Sequence, residues 1–459
     1  MTYQIDLIIM FVVNVFAYIR VFVHLEVTME IKRNMYLNKL IEKKENGYIK
    51  IITGIRRSGK SFLLFNLYKD YLQSVGVDDT QIIEILLDEI SNIKYRNPFE
   101  LDAYIRSAVA NLDKMHYVFI DEIQLVEKVE NPHVINGAKI GFVDVILGLM
   151  KVKNIDLYIT GSNSKMLSTD ILTEFKDRGE EIRVYPLSFK EFYNAFNDKQ
   201  SAWREYFNYG GMPRLVSISK HEDKSKYLKD LFSKTYITDV IEKNDIRKDK
   251  VYIDDLLNIL ASSIGSLTNP RNISNTFRSV KKEVMHASTI SNYLDYLTDA
   301  FIISKANRYD VKGRKYIETP LKYYFTDIGL RNARLNFRQQ EENHIMENII
   351  YNELSIREFD IDVGVVEYNY KDDEGKSRRK QLEIDFIANK VNKRYYIQSA
   401  LTVSSEEKRL QEINSLVRTD NSFKKIVIVK EDIIPWHDEN GILYLGIEKF
   451  LLDENALDL

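Results

Sequence analysis

Short β-rich runs, of which Tyr117–Ile120 is continuously apolar, alternate with a stretch of helical spacing in the first half of the chain. Continuous apolar runs are typical of parallel strands that are buried on both faces of a sheet. Lys60–Leu72 instead carries its apolar residues at the spacing of an amphipathic helix. The pattern predicts an α/β fold with an open, mainly parallel sheet. The predicted strands are Tyr48–Thr53, Ile82–Leu87, Tyr117–Ile120, Asp156–Thr160 and Glu181–Ser188.

The second half of the chain has a different pattern. Trp203–Leu260 is helical and rich in charge, and Thr289–Ala300 reads as an amphipathic helix. A strand–turn–strand with Lys312–Lys315 at its tip follows. From Glu342 onward, one helix and several strands predict a mixed α+β region. These last elements are the helix Asn343–Leu354 and the strands Val365–Tyr370, Gln381–Ala388, Arg394–Gln398 and Lys424–Val429.

Residues 1–28 form an apolar leader. Its run Leu7–Ile19 is shorter than the roughly 20 residues that cross a bilayer, and Arg20 follows at once. A signal peptide would carry basic residues before the run, whereas only Asp6 is charged there. Three interpretations stay open: an extension of the gene model with Met29 as the true start, a tail of no consequence, and a membrane anchor. We expect no stable membrane insertion.

Composition narrows the classes of protein. The 459 residues carry 65 Lys+Arg and 68 Asp+Glu, and the resulting net charge of −3 excludes a globally polycationic nucleic-acid coat protein. The absence of cysteine excludes disulfides, thiolate zinc sites, Fe–S clusters and a cysteine nucleophile. It fits a reducing compartment, and we expect a cytoplasmic protein. The length predicts roughly two to four domains at about 150 residues each.

A phosphate-binding motif lies between the first predicted strand and the first predicted helix. Gly54–Ser61 has the form G-x-x-x-x-G-K-S. The glycines permit a tight turn whose backbone N–H groups surround phosphates at the positive end of a helix. Lys60 would reach the β- and γ-phosphates of ATP, and the Ser61 hydroxyl would bind Mg²⁺. The predicted nucleotide-binding residues are Gly54, Ile55, Arg56, Arg57, Ser58, Gly59, Lys60, Ser61 and Phe62.

Two carboxylates follow the strand Tyr117–Ile120. Asp121 at the end of this strand would hold the Mg²⁺ shell together with Ser61. Glu122, the next residue, would polarise the attacking water as a general base. Four apolar residues followed by Asp-Glu are by themselves a weak signal, but together with the phosphate loop they predict an ATPase.

A third polar position follows the strand Asp156–Thr160. Strands that end beside a phosphate loop often present a polar side chain to the γ-phosphate or to its water. Asn163 is the catalytic candidate here, with Ser162 as the alternative. A plain turn remains an equal interpretation of Gly161–Ser164.

Segments in a fixed order along the chain carry a family resemblance. They are TGIRRSGKS (Thr53–Ser61), FIDEIQ (Phe119–Gln124), ITGSNSKML (Ile159–Leu167), YPLSFKEF (Tyr185–Phe192), GGMPRLV (Gly210–Val216), KYYFTDIGLRNA (Lys322–Ala333) and EIDFIA (Glu383–Ala388). In these segments the sequence resembles a prokaryotic family of predicted AAA+-superfamily ATPases. The resemblance covers the chain from about Met29 onward.

The resemblance implies three regions after the leader. These are an AAA+-like ATPase core, a middle region that contains a winged helix, and a degenerate restriction-endonuclease-like C-terminal domain. The expected boundaries are 1–28 for the leader, 29–200 for the ATPase domain, 201–340 for the helical lid and winged-helix region, and 341–459 for the nuclease-like domain.

The resemblance also places an arginine shortly before the segment Tyr185–Phe192. Arg178 occupies that place, although the residue before it is Asp177 where the family has glycine. Arg178 is therefore a candidate arginine finger that acts on a neighbouring subunit of a homo-oligomer. The alternative is a surface arginine in a charged loop.

The middle region offers two further candidates. Arg214, which follows Gly210–Pro213, is a candidate contact to the γ-phosphate from the lid or else a surface arginine. The hairpin tip with Arg314 and Lys315 is a candidate DNA contact through phosphates, although winged helices in ATPase lids also serve packing alone. Neighbouring basic residues are Arg271, Arg278, Lys281 and Lys282.

The C-terminal region lacks the parts of a working nuclease. Asp385 fits the metal-binding position at a strand end, and Glu347 fits the helix carboxylate. The position that holds E-x-K in nucleases of the restriction type, however, reads Gln398–Ala400, without the second carboxylate and the lysine. We therefore predict no nuclease activity and a binding or docking module instead.

The sequence as a whole predicts an ATP-binding protein that is an Mg²⁺-dependent ATPase. Hydrolysis would change the relation between the core and the C-terminal domain. Two alternatives remain: a nucleotide-gated binding switch with little turnover, and a DNA-associated ATPase. Lys60, Glu122, Asn163 and Arg178 are the catalytic candidates, and Ser61 and Asp121 are the metal ligands.

Overall fold

The structure is a computed structural model, and it describes most of the chain after the leader. The described residues are 31–109, 114–134, 137–162, 178–246, 250–282, 284–338, 341–372, 374–419 and 423–459. The leader and Asn163 lie outside the described residues. Among the helices that are described, none has the length and apolar character needed to cross a membrane.

A five-stranded parallel sheet forms the centre of the N-terminal half, in the order β2-β3-β4-β1-β5. Every residue of β1 and β3 is buried, as expected for strands covered by helices on both faces. This confirms the predicted parallel α/β core. The strands are β1 (Ile49–Thr53), β2 (Ile82–Leu86), β3 (His116–Asp121), β4 (Ile155–Thr160) and β5 (Gly179–Arg183).

Helices cover both faces of this sheet. α1 and α2 contribute Tyr36, Leu40 and Leu64 to one apolar core, and α3 and α4 contribute Ile105 and Ile146 to the other. α2 begins at the lysine of the phosphate motif, so the loop before it is held between β1 and α2. The helices are α1 (Asn34–Glu42), α2 (Lys60–Phe62, the π-helical Leu63–Tyr68 and Lys69–Ser74), α3 (Pro98–Ala108) and α4 (Phe142–Leu149).

The predicted fifth strand, Glu181–Ser188, is too long at its C-terminal end. β5 stops at Arg183, after which only Val184 N–H still bonds to Thr53 O, at 2.7 Å. Pro186 has no N–H to continue a ladder, and Ser188 already caps the next helix by accepting from Glu191 N–H.

The middle region is helical, as the sequence predicts for Trp203–Leu260. Its longest element, α7, runs with one π-helical segment from His221 to Lys243. The helices are α5 (Phe189–Ala195), α6 (Ala202–Tyr209), α7 (His221–Asp230, Leu231–Tyr236 and Ile237–Lys243), α8 (Lys250–Ser262), α9 (Pro270–Thr276, continued by Phe277–Lys281) and α10 (Ala287–Asp299).

A mixed eight-stranded sheet occupies the C-terminal half, in the order β12-β13-β11-β10-β9-β8-β6-β7. The described residues thus confirm the predicted mixed α+β region. The strands are β6 (Ile303–Asp310), β7 (Lys315–Phe325), β8 (Asp360–Lys371), β9 (Ser377–Lys390), β10 (Lys393–Ala400), β11 (Lys424–Val429), β12 (Trp436–His437) and β13 (Leu443–Gly446). The helices are α11 (Ile328–Arg334), α12 (Glu342–Ile356), α13 (Glu406–Val417) and α14 (Ile447–Leu452).

The basic hairpin β6–β7 belongs to this large sheet. β6 pairs in parallel with β8, and Asn307 lies opposite Asp362. α12 is attached to β7 because the Asn348 amide both accepts from Phe325 N–H and donates to Phe325 O, each at 2.8 Å. The sheet therefore runs across the boundary expected at residue 340.

Candidate functional site

The phosphate loop joins β1 to α2 in a tight turn. Gly54, Arg57 and Gly59 have φ angles of +136°, +69° and +95°. A Cβ atom on Gly54 would lie 2.0 Å from Val184 O, so only glycine lets the loop pass the strand end beside it. The loop geometry thus depends on the residue types that define the motif.

Lys60 and Ser58 have their polar atoms inside the loop. Lys60 Nζ donates to Gly54 O at 3.0 Å and to Ile55 O at 3.2 Å, with the side chain buried. The Ser58 hydroxyl is fully buried and has no hydrogen-bond partner in the described part of the chain. A buried hydroxyl without a partner is costly, and it marks a position where a bound group would supply one. Phe62, at the start of α2, is exposed.

The two predicted metal ligands lie next to each other. Ser61 Oγ donates to Asp121 Oδ2 at 2.9 Å, which joins the first turn of α2 to the end of β3. Thr160, at the end of β4, also donates to the Asp121 carboxylate. Burial raises the pKa of Asp121 above its ordinary value, although the bonds from Thr160 and Ser61 and the charge of Lys60 oppose this.

Glu122 turns away from the strand direction in a left-handed conformation, with φ +52°. Its backbone N–H donates to Thr160 Oγ1 at 3.0 Å. Its carboxylate accepts from Gln124, and Ser162 Oγ donates to it at 3.3 Å. One threonine therefore orients both acidic residues, and Ser162, which follows β4, lies beside Glu122 in the same site.

The helix α7 lies over the phosphate loop. Arg56 Nη1 donates to both carboxylate oxygens of Asp239, at 2.8 and 2.9 Å. Tyr236 OH donates to Arg56 O at 2.8 Å. The middle region therefore touches the loop directly.

An open cavity of about 930 Å³ lies on the outer side of the loop. Arg57 and Arg214 both line it, and the Arg214 guanidinium stacks 5.4 Å from the centroid of the Tyr227 ring. Arg214 thus lines the same cavity as Arg57 of the phosphate loop.

Arg178 lies at the other end of the parallel sheet. Its carbonyl accepts from Ile49 N–H at 2.9 Å, at the amino end of β1, whereas the phosphate loop follows the carboxyl end. The five residues of β1 separate the two positions, a span of roughly 16 Å at about 3.3 Å per residue. Arg178 is exposed and does not reach the phosphate loop of its own chain.

A buried carboxylate links the ATPase core to the C-terminal half. Asp327 Oδ2 accepts from Gly211 N–H at 2.7 Å, and Gly211 O accepts from Leu187 N–H at 2.7 Å. A Cβ atom on Gly210, which has φ +76°, would lie 2.3 Å from Asp327. Three of the family segments thus meet at Asp327, which also caps α11 through Leu330 N–H.

The nuclease-like carboxylates surround a lysine. Lys322 Nζ lies 2.8 Å from Glu347 and 2.6 Å from Glu383, and Tyr324 OH donates to Glu347 at 2.6 Å. Asp385 accepts from Ser399 N–H at 2.8 Å. Within the described residues, no group of three or more His, Asp or Glu side chains is arranged to hold a metal ion.

Charge and burial oppose each other in this cluster. Burial would lower the pKa of Lys322, but the three carboxylates raise it above its ordinary value. Burial raises the pKa of Asp385 well above its usual range, and the Glu347 charge adds to this while Lys322 opposes it. Lys322 is thus an internal counter-ion for the cluster.

The structure brings together the loop residues Gly54–Ser61 with Asp121, Glu122 and Ser162, whereas Arg178 is remote. Sequence reasoning missed Thr160 and Asp239, and it missed Arg33, whose guanidinium donates to Ser58 O of the loop at 2.9 Å. The partners of all three residues are distant in the chain. Thr160 could have been noticed as the last residue of a predicted strand ending beside the loop. Neither Arg33 nor Asp239 has a local signal.

The parallel sheet, the phosphate loop after its first strand and the acidic pair after β3 define a P-loop α/β fold. Residues 46–193 match a family model described as an AAA domain, and residues 200–341 match a domain of unknown function, DUF8612. The second match coincides with the helical middle region and the start of the large sheet.

Relatives and solved structures are similar over most of the chain. An uncharacterized protein of Haemophilus influenzae is 33% identical over 404 residues, covering 87% of this chain and 93% of the relative. The chain therefore belongs to the same family, which is a family of P-loop proteins with an AAA ATPase domain. The uncharacterized protein MJ1544 of Methanocaldococcus jannaschii is 27% identical over 434 residues, covering 91% of this chain and 86% of the relative.

Two solved structures align at low scores. The Walker-type ATPase PABY2304 of Pyrococcus abyssi gives a TM-score of 0.45 at 17% identity, over 67% of this chain and 96% of that chain. The ORC1 protein of Aeropyrum pernix, in complex with DNA, gives a TM-score of 0.32 at 12% identity, over 68% of this chain and 95% of that chain.

Proposed function

We propose that this protein is an Mg²⁺-dependent ATPase. The observation that carries the proposal is the contact between Ser61 and Asp121, with 2.9 Å between the hydroxyl and carboxylate oxygens. It joins the phosphate loop to the acidic strand end, and Lys60 and Glu122 stand next to the two residues in the chain. A hydroxyl and a carboxylate are hard oxygen ligands of the kind that hold Mg²⁺ together with phosphate oxygens and water.

The residues present fit a nucleotide with Mg²⁺. The Ser58 hydroxyl is buried inside the loop without a hydrogen-bond partner among the described residues. The Lys60 ammonium donates to the carbonyls of Gly54 and Ile55, from which it can turn to a phosphate. Gly54–Ser61 would hold the phosphates, and Ser61 and Asp121 would hold the metal. A bound Mg²⁺ would neutralise charge on the phosphate oxygens.

Glu122 is the residue we assign as general base. Gln124 and Ser162 hold its carboxylate, and Thr160 fixes its backbone. A base so oriented can accept the proton of an attacking water while Lys60 stabilises negative charge on the phosphate. Asn163 is proposed to act beside it, on the grounds of the sequence alone.

Phosphate release from full-length protein with Mg²⁺-ATP tests the proposal. Lys60→Ala should abolish turnover, and Glu122→Gln should lower it on the order of 100-fold while ATP still binds. Lys69→Ala and Glu84→Gln are matched controls, because these residues form an ion pair of 2.6 Å on the same helix and sheet but away from the loop. ATP binding without phosphate release in the wild type would favour a nucleotide-gated switch instead.

We further propose that Arg178 acts on the nucleotide of a neighbouring copy. Its place at the amino end of β5, away from its own phosphate loop, supports a role between subunits only. Mixing Arg178→Ala with Lys60→Ala protein tests this, because a mixed interface combines an intact loop with an intact arginine. Recovered turnover in the mixture, from two inactive variants, is expected. A mixture as inactive as its parts would contradict the proposal.

Coupling between ATP and the C-terminal half is proposed to pass through Asp327. Two successive hydrogen bonds of 2.7 Å, from Leu187 to Gly211 and from Gly211 to Asp327, connect the segment after β5 to the cap of α11. A shift of the core can therefore move α11 and the large sheet behind it.

DNA association is a second candidate, favoured by the fixed geometry of the β6–β7 tip. Asp310 accepts from the N–H groups of Lys312 and Gly313, and Arg314 and Lys315 are exposed there. Duplex binding should fall steeply with salt and weaken in Arg314→Ala/Lys315→Ala. The matched control is Lys376→Ala/Arg378→Ala at the exposed tip of the β8–β9 hairpin. Equal effects of the two double variants would argue against the candidate.

A further inference from the structure

Arg33, just before α1, is buried against the phosphate loop. Its side chain is 3% exposed, and each of its three nitrogens donates a hydrogen bond. Nη1 donates to Ser58 O at 2.9 Å, Nη2 to Tyr185 O at 2.7 Å, and Nε to Glu191 Oε1 at 2.9 Å. The guanidinium also stacks 4.6 Å from the centroid of the Tyr36 ring. Arg33, 25 positions before Ser58 in the chain, therefore fixes the loop from its outer side.

The bond to Ser58 O controls the direction of a peptide group. A trans peptide is planar, so its C=O and the following N–H point in opposite directions. Arg33 fixes the carbonyl of Ser58 toward the protein, and this turns the N–H of Gly59 toward the inside of the loop. Backbone N–H groups that point inward are what the loop offers to an anionic phosphate.

The other two bonds of Arg33 fix its own position. Glu191 is held by Ser188, whose N–H donates to the Glu191 carboxylate at 3.0 Å in the cap of α5. Tyr185 O lies in the segment between β5 and α5. A planar guanidinium can satisfy three acceptors in a fixed fork, whereas a lysine ammonium cannot reproduce that arrangement.

We infer that Arg33 is a positioning residue that sets the phosphate loop in its binding geometry before a nucleotide arrives. It acts through Ser58 and Gly59 and does not itself touch the phosphates. The consequence for ATP rests on the proposed ATPase function, but the consequence for the loop backbone does not.

The test compares variants of two buried arginines, Arg33 and Arg357, in the full-length protein. Hydrogen exchange and ATP binding are measured for each variant. Arg357 is the matched control because it is also largely buried, is paired with Glu353 at 2.8 Å, donates to backbone carbonyls and stacks on Phe450. It follows the C-terminal end of α12, and its hydrogen bonds go to Glu353, Phe450 and Asp453, none of which belongs to the loop. Arg33→Met and Arg357→Met should therefore have similar effects on folding, but only Arg33→Met should change the phosphate loop.

In Arg33→Met without nucleotide, the amides of residues 55–60 should exchange about tenfold or more faster than in the wild type, as expected for loss of a charge-assisted hydrogen bond. The dissociation constant and KM for Mg²⁺-ATP should rise by about tenfold, while kcat at saturating ATP changes much less. Arg357→Met should leave both the loop exchange and KM at wild-type values. Arg33→Lys keeps the charge and the aliphatic stem. It should also exchange faster in the loop and have a higher KM than Arg357→Met, and it replaces Arg33→Met if that variant does not fold.

Unchanged exchange of the loop in the Arg33 variants would overturn the inference, as would an equal rise of KM in Arg357→Met. If loop exchange responds to Arg33 but the wild type neither binds nor hydrolyses ATP, the inference stands and the proposed ATPase function fails. The two conclusions are thus tested separately.

Discussion

Arg56 in the phosphate loop and Asp239 in α7 form an ion pair across 183 positions of the chain, with Arg56 Nη1 at 2.8 and 2.9 Å from the two carboxylate oxygens. The pair places a negative charge from the middle region beside a loop that is built for phosphates. Asp239 therefore competes with a triphosphate for the same guanidinium, and it repels the triphosphate as well.

Removal of that charge should strengthen ATP binding. We expect Asp239→Asn to bind Mg²⁺-ATP more tightly, by up to about fivefold, because a half-exposed ion pair is worth at most about 1 kcal/mol. Fluorescence titration with an ATP analogue measures the change. Asp102→Asn is the control, since the Arg106–Asp102 pair has similar exposure but lies on α3. Unchanged or weaker binding in Asp239→Asn would show that the contact serves packing alone.

Thr160 gives a second prediction, because its hydroxyl orients both acidic residues. Thr160→Val keeps the shape of the side chain but removes the donor to Asp121 and the acceptor of Glu122 N–H. The pKa of Asp121, already raised by burial, should rise further. We expect kcat to fall on the order of tenfold and the Mg²⁺ concentration for half-maximal turnover to rise, most clearly near pH 6.

Turnover measured against Mg²⁺ concentration at pH 6 and pH 8 checks this prediction. Thr419→Val is a suitable control, because Thr419 is also buried and donates to Leu416 O, in the C-terminal half. A loss in Thr160→Val that does not depend on Mg²⁺ or pH would mean that the hydroxyl serves the local fold only.

The parts of the site with a local signal were predictable from the sequence. Gly54–Ser61 and Asp121–Glu122 follow short strands that are buried throughout, and the burial of the second strand is visible in the sequence as the uninterrupted apolar run Tyr117–Ile120. Parallel strands then bring these carboxyl ends to one edge of the sheet without further information.

The remaining parts depend on contacts between distant residues. Arg33, Asp239 and Asp327 meet their partners 25, 183 and 116 positions away. No periodicity or spacing encodes such pairs. The membership of β6 and β7 in the C-terminal sheet was missed for the same reason, since β6 pairs with β8 although β7, α11 and α12 lie between them in the chain. Where β5 ends depends instead on a proline and a helix cap.

Asp327 should make the free energy of unfolding depend on pH. Burial raises the pKa of this carboxyl to about 6, above its ordinary value of 3.8, although three backbone N–H groups oppose the shift. An acid with a raised pKa in the folded state holds its proton more tightly there than in the unfolded chain. Its favourable contribution is therefore largest at low pH and decreases as the pH rises from about 4 to 6.

Unfolding by urea at pH 5 and pH 7 checks the Asp327 prediction. We expect the free energy of unfolding of the wild type, relative to Asp327→Asn, to decrease by about 1 kcal/mol between these values. Asp310→Asn is the comparison, because Asp310 is also buried and accepts backbone N–H groups at the hairpin tip. A difference that increases with pH would have the wrong sign for a raised pKa.

Lys322 is expected to stabilise the buried cluster of Glu347, Glu383 and Asp385 as its counter-ion. The ammonium lies 2.8 Å from Glu347 and 2.6 Å from Glu383 in a buried site that also contains Asp385. Lys322→Met keeps the aliphatic volume but leaves the buried carboxylates without their counter-ion. We expect the free energy of unfolding to fall by about 3 kcal/mol or more, as for other broken buried pairs.

The loss in Lys322→Met should be larger at pH 8 than at pH 5.5. Without the lysine, the pKa of Glu347 in the folded state rises above that of the unfolded chain, and the pKa of Asp385, already raised by burial, rises further. Stability therefore decreases as pH increases. Urea unfolding at both pH values measures this, with Lys224→Met as control, because Lys224 is equally buried but pairs with Glu205 alone, at 2.5 Å.

Adding Glu347→Gln to Lys322→Met should restore part of the stability, since it removes one uncompensated charge. A double variant as unstable as Lys322→Met at both pH values would show that the lysine acts through packing and not as a counter-ion.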